Sequence, residues 1–332
     1  MSRPHLLAAL AAPLKLLSAR SRRVEDWLHL PLTDEDARLL REACAASGAR
    51  FGHYYHWYLQ KSLVAGAVRG LDAGKAARLL AASDRTDYAA AAAIAASDTG
   101  VLVAIPHHGH YILAMTALAH VVARHRKVLV FYGQPATHKG NEAFDNLHRM
   151  LCCDSAAGIE VIHDTRQGLA RAIRALKAGE VVFIMPDAFR DEDATMMVPF
   201  CGKLTNVMLG TAVLARKTGA WILPAVATPG GHLGFRTCFG ARIDHPWPHA
   251  GVASAEATKV MDYAVTRAIF VAFEKCMSGQ LLYWQHVRQH LAVGATARLA
   301  GAGELETLVG AIERDPSLGA PGHVVDLRVA AR

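Results

Sequence analysis

Three histidines fall within four residues, His107, His108 and His110, around Gly109 and directly after the apolar run Val101–Ile105. A strand end that opens into a helix is where α/β proteins place reactive groups. An imidazole there titrates near neutrality and lies close to helix N-terminal amides. Gly109 lets the chain turn or lets a substrate approach the backbone. This chemistry suits a general base. His108 and His110, two residues apart on a loop, are also possible co-ligands, but no cluster of carboxylates or cysteines accompanies them, so no metal is expected. A second block, Pro186-Asp187-Ala188-Phe189-Arg190, follows the apolar run Val181–Met185. Asp187 can orient a histidine and Arg190 can bind a phosphate or carboxylate, against the plainer reading of a loop ion pair. A third block is Val198-Pro199-Phe200-Cys201-Gly202-Lys203, with a helix expected from Asn206.

The elements that must position these blocks follow from periodicity. Short apolar runs at Val101–Ile105, Val128–Tyr132, Ile159–Ile162, Val181–Met185 and Trp221–Val226 alternate with helical patterns at 111–124, 140–151, 166–178 and 206–218. Continuous apolar strands suit a sheet buried on both faces, so the reading is an α/β fold. It has a central mixed, mostly parallel sheet flanked by helices and a helical N-terminal region. A strand pair is expected within 232–243, with helices at 254–278 and 281–291. The division is 1–96, helical and membrane-proximal; 97–291, the α/β core; and 292–332, a short tail. Within the first part, Thr33 to Asp36 predict a capped helix running to about Ser47. Phe51 to Tyr58 form an aromatic cluster, and Ala89–Ala96 is either low-complexity or a tightly packed helix.

Composition narrows the function classes. The 332 residues are 52% hydrophobic and 20% charged, which excludes intrinsic disorder. Six cysteines at unpaired spacings suggest reduced, buried thiols rather than a disulfide or zinc framework. The net charge of +7 admits nucleic acid, anionic lipid or a phosphorylated substrate. Scattered basic residues without a recognition motif argue against nucleic acid. No Gly-x-Ser-x-Gly signals a serine hydrolase. Near the N-terminus, Leu6, Leu7, Leu10, Leu14 and Leu17 fall near one helix face ahead of Arg20, Arg22 and Arg23. That pattern fits an interfacial amphipathic helix, a helix packed on the protein's own core, or a cleaved signal.

Taken in order, the blocks resemble the lysophospholipid acyltransferase-like superfamily, and within it the bacterial lipid A late acyltransferases (lauroyl/myristoyl transferases). His107-His108-Gly109-His110-Tyr111-Ile112-Leu113-Ala114 is similar to that branch's His-x-Gly-x-(Trp/Tyr)-(Glu/Asp)-x-Ala. A middle segment from Tyr132 to Arg149, then Pro186–Arg190, Pro199-Phe200-Cys201-Gly202, Thr218–Pro224 and Tyr283-Trp284-Gln285-His286-Val287-Arg288 match later blocks, over about residues 97–290.

The resemblance implies transfer of a fatty acyl group from acyl-CoA or acyl carrier protein, a substrate rather than a cofactor, to a hydroxyl or amine of a lipid, glycolipid or related acceptor. It implies His107 as general base; Asp187 is the candidate to orient it, and His108, Gly109, His110, Arg149 and Arg190 are the candidates for substrate contacts. Backbone N–H groups near Gly109 or the helix start at 206 are the expected oxyanion donors. Peripheral contact with anionic membrane, at the cytoplasmic face of the inner membrane, is implied as well. One departure stands out. The family's His-x4-acid spacing falls on Ile112. Either a carboxylate arrives from elsewhere, with Asp187 the best candidate, or the imidazole works without one, or the chain is a lipid- or carrier-binding homologue that has lost transfer.

Overall fold

Apolar runs with no polar face form stable strands only where both sides of the sheet are covered, and that is how these runs are used. The structure, a computed structural model, describes residues 38, 73–133, 150–151, 158–187, 195–201, 203–230, 234–246 and 255–287. The strands β1 (Val101–Ala104), β2 (Val128–Tyr132), β3 (Ile159–His163), β4 (Val181–Ile184), β7 (Trp221–Pro229) and β8 (Phe235–Phe239) form one sheet in the order β3-β2-β4-β1-β7-β8. The first five in that order are parallel, and β8 runs antiparallel to β7. The expected α/β architecture is therefore present.

Helices cover both faces in the described residues, and the two-residue period of the strands sorts the core. Val101, Val103, Val128, Val130, Val181 and Phe183 point to one face. There they meet α1 (Ala73–Ser83), α2 (Ala89–Ala95) and α3 (Tyr111–Ala123). Leu102, Ala104, Leu129 and Val182 point to the other, against α4 (Arg166–Lys177), α5 (Gly210–Thr218) and α6 (Ala255–Met277). Helix α4 starts on Thr165, whose hydroxyl accepts the Gly168 N–H at 3.0 Å, and it carries Arg174 and Lys177 in its last turn. Both features match the helix dipole. The Ala-rich segment resolves as the packed helix α2, with Ala91 and Ile94 buried.

An ion pair fixes α5 to α6. Arg216 on α5 donates twice to Asp262 on α6, at 2.8 and 2.9 Å, and His245 Nε2 lies 3.0 Å from the same carboxylate. Burial opposes the charge on Asp262, but His245 and Arg216 outweigh it and hold the carboxyl below its usual range.

Three sequence expectations change. The helix expected from Asn206 begins at Gly210, because Lys203–Met208 is strand β6, paired antiparallel with β5 (Thr195–Phe200) in a separate hairpin. Thr205 and Val207 are buried at a spacing of two, which is a strand's period and not a helix's. The strand pair expected within 232–243 is a single strand, β8, whose partner is β7; beyond it, Ile243 bridges back to Ile222. Of the helix expected over 281–291, the described part holds a 3₁₀ turn, Leu281–Tyr283, then an extended Trp284 and a turn at 285–286, and helix is reached at Val287; residues 288–291 lie outside the described residues. The N-terminal Leu/Arg stretch, the aromatic cluster at 51–58 and the tail lie outside the described residues, as does nearly all of the helix expected over 33–47 and most of that over 140–151.

Candidate active site

Strand register brings the first two chemical blocks together. β1 and β4 are parallel neighbours with Ala104 opposite Ile184. His107 lies three residues past the first of these and Asp187 three past the second, so both emerge at the same height above the carboxyl edge of the sheet. The chain leaves β1 toward β2 on one side and leaves β4 toward β7 on the other. The path after β1 leads to α3 on one face of the sheet and the path after β4 leads on to α5 on the other, and it is at such carboxyl strand ends that doubly wound sheets bind ligands.

The contact between the two residues is specific. The His107 backbone N–H donates to Asp187 Oδ2 at 2.7 Å, and ring Nδ1 lies 2.8 Å from Asp187 Oδ1. The Trp284 indole N–H also donates to Oδ2, at 2.8 Å. Asp187 is essentially fully buried, whereas the His107 side chain keeps 16% of its surface exposed. Burial opposes ionisation of Asp187, yet the charge and hydrogen bond of His107, the nearby His286 and the Trp284 indole together draw its pKa down to about 2. The carboxyl is therefore an anion at any physiological pH, and an anion accepts only. Nδ1 must carry the proton, which leaves the lone pair on Nε2. A histidine so oriented can take a proton from a hydroxyl or amine.

A third segment, Gln280–Val287, walls the site. Gly109 N–H donates to Tyr283 C=O at 2.9 Å, Gln285 N–H donates to His107 C=O at 2.8 Å, and His108 and Trp284 form an antiparallel bridge. These bonds use backbone groups that a continued helix would have needed, which accounts for the helix ending at Tyr283. Trp284 is held from below by Phe200, with ring centroids 4.9 Å apart and nearly perpendicular. The Pro199-Phe200 block thus supports the residue that grips Asp187. His286, two residues on, sets its ring 5.0 Å from that of His107, and Tyr111 at the start of α3 approaches from another side at 4.9 Å.

The remaining candidates are placed as follows. His108 is fully buried, with Nδ1 at 2.7 Å from Ala227 C=O and Nε2 at 2.8 Å from Gln280 C=O, so both ring nitrogens face the protein's own backbone. Gly109 has φ +55°, and a Cβ there would come 2.6 Å from Ala227 O; only glycine fits without strain. Its N–H is committed to Tyr283. His110 is buried at the N-cap of α3, and desolvation lowers its pKa to about 4, so it stays neutral at physiological pH. Arg149 and Arg190 lie outside the described residues. Ile112 sits in the first turn of α3, half-buried against the apolar face of the sheet. Sequence reasoning assigned no role to Trp284 and His286. They were matched only as part of the block Tyr283–Arg288, and that block was the available signal.

No described helix is long and apolar enough to cross a membrane. No curated protein sequence matches the chain. Residues 82–244 match the family of bacterial lipid A biosynthesis acyltransferases. The matched stretch contains both His107 and Asp187 and stops short of Trp284 and His286. Through this stretch the chain is similar to the bacterial lipid A biosynthesis acyltransferases, which supports a lipid acyltransferase in general.

Proposed function

We propose that this protein transfers a fatty acyl group from a thioester donor, acyl-CoA or acyl carrier protein, to a hydroxyl or amine of a lipid or glycolipid acceptor. The observation that carries the proposal is the Asp187 carboxylate on His107 Nδ1, which supplies from β4 the acid that is absent at position 112. In the proposed cycle, His107 Nε2 takes the acceptor's proton as the acceptor oxygen or nitrogen bonds to the thioester carbonyl carbon. The tetrahedral intermediate collapses, the C–S bond breaks, and the leaving sulfur receives the proton from Nε2. Asp187 keeps the tautomer and stabilises the imidazolium between the two transfers. Arg149 and Arg190 are proposed to hold phosphate on donor or acceptor. The protein is proposed to work peripherally on an anionic membrane at the cytoplasmic face of the inner membrane. The oxyanion role considered for the Gly109 N–H and for a helix start at 206 is set aside, because that N–H is bonded to Tyr283 and residue 206 lies in β6.

The test is to incubate the purified chain with radiolabelled acyl-CoA or acyl carrier protein and with lipid A precursors or a bacterial lipid extract, following label into lipid. Wild type transfers label, while His107→Ala does not and keeps its circular dichroism spectrum. Transfer by His107→Ala at the wild-type rate contradicts the assignment. Acyl-chain binding without turnover across donors and acceptors favours the non-catalytic homologue.

A further inference from the structure

We propose that His107, Asp187 and His286 form a reversible site for a zinc-like divalent cation, and that an ion bound there silences the base. The second half of this statement rests on the function proposed above; the first half does not.

Two imidazole nitrogens and one carboxylate oxygen suit Zn²⁺ or Co²⁺, whereas Mg²⁺ and Ca²⁺ prefer all-oxygen shells. Here one donor atom from each of the three residues lies within 4.8 Å of the other two. Around tetrahedral zinc, with bonds of about 2.0–2.2 Å, neighbouring donors sit roughly 3.3–3.5 Å apart. Nδ1 of His107 and Oδ1 of Asp187 are already closer than that, at 2.8 Å. The widest gap must therefore shorten by roughly 1–1.5 Å, which side-chain rotation supplies, since neither His107 nor His286 is fully buried.

The surroundings are those of a supported site. Asp187 Oδ2 is fixed by two N–H donors, from the His107 backbone and the Trp284 indole, so Oδ1 is presented in a set direction. The carboxylate is ionised and buried, and it offers a negative charge to an incoming cation. The His107 side chain is 16% exposed, so solvent reaches that edge of the site. An ion on Nδ1 of His107 takes that nitrogen's lone pair and leaves the ring proton on Nε2, where the base needs a lone pair; an ion on Nε2 occupies that lone pair itself. Either arrangement stops proton abstraction while the ion is bound, and removal of the ion restores it.

The experiment uses the full chain without a histidine tag. After chelator treatment, Zn²⁺ binding is measured by calorimetry and Co²⁺ binding by visible absorption, for wild type, His286→Ala and His286→Gln, with circular dichroism as the folding check and Mg²⁺ as control. Wild type is expected to take up one equivalent of Zn²⁺ and to show Co²⁺ bands of tetrahedral type. Both His286 variants should bind at least about tenfold more weakly, the scale on which loss of a coordinating or supporting group acts. Mg²⁺ should leave no signal. In the transfer assay, Zn²⁺ should inhibit wild type reversibly, and His286→Gln should need correspondingly more Zn²⁺. Absence of one-equivalent binding by wild type, or unchanged affinity in both folded His286 variants, overturns the proposal. Binding in a chain that never transfers acyl groups supports the site and removes the function; transfer without binding does the reverse.

Discussion

Asp187 holds His107 at two points, taking its backbone N–H on Oδ2 at 2.7 Å and facing its ring Nδ1 with Oδ1 at 2.8 Å. The double contact fixes both the loop and the imbedded imidazole edge, so the ring cannot flip without breaking a charge-assisted bond. The same carboxylate oxygen that holds the backbone also accepts the Trp284 indole. One buried anion thereby joins β1, β4 and the segment after α6.

Trp284→Phe removes one donor from Asp187 and keeps a ring against Phe200. A hydrogen bond to a charged group contributes about 1.5–3 kcal/mol. The variant should lose stability on that scale in urea unfolding. Asp187 should also become easier to protonate, which moves acid unfolding to higher pH. An unchanged acid midpoint would show that the indole does not support the carboxylate.

Gly109→Ala forces a side chain into the left-handed region and against Ala227 O. Such strain costs on the order of 1–3 kcal/mol. Urea unfolding should show a lower midpoint with an unchanged m-value. Because Gly109 lies between His107 and the Tyr283 anchor, the acyl-transfer rate should fall as well.

Ile112→Glu restores the carboxylate of the family spacing but gives His107 nothing it lacks, since Nδ1 already faces Asp187. The rate of transfer should not rise. Stability should fall, because Ile112 packs against the apolar side of the sheet. A clear gain in rate would mean that Asp187 does not serve as the partner of the base.

Acid stability follows from the same carboxylate. The folded pKa of Asp187, about 2, lies below the ordinary aspartate value of 3.8. Its contribution, on the order of 2 kcal/mol, is fully present above pH about 4 and disappears as the pH falls toward 2. Asp262, lowered in the same direction by His245 and Arg216, adds to this loss in acid. Between pH 5 and pH 2 the wild type should therefore lose more stability than Asp187→Asn. Parallel curves for the two proteins would contradict the depressed value.

Much of this was legible in the sequence. β1, β2 and β4 are continuous apolar runs with clear ends, and the alternation with helices predicts a parallel sheet. His107 and Asp187 stood out because each follows such a run. Their pairing was not a local property: they are 80 residues apart, and only the insertion of β4 beside β1 makes them neighbours. β6 was misread because six residues are too few to separate the two periods, and its strand character comes from the partner β5. Trp284 reaches Asp187 across 97 residues, and the turn that carries it is tied to the 107–109 loop by backbone hydrogen bonds that no local pattern announces.

The kinetics of Asp187→Asn, measured with a labelled acyl thioester beside wild type, test the central claim most directly. Removing the carboxylate loses the tautomer control and imidazolium stabilisation but leaves substrate binding in place. The rate constant kcat should fall by about 10²–10⁴-fold with KM little changed. Asp187→Asn with wild-type kcat would contradict the account, because His107 would then work without the acid that the fold places on it.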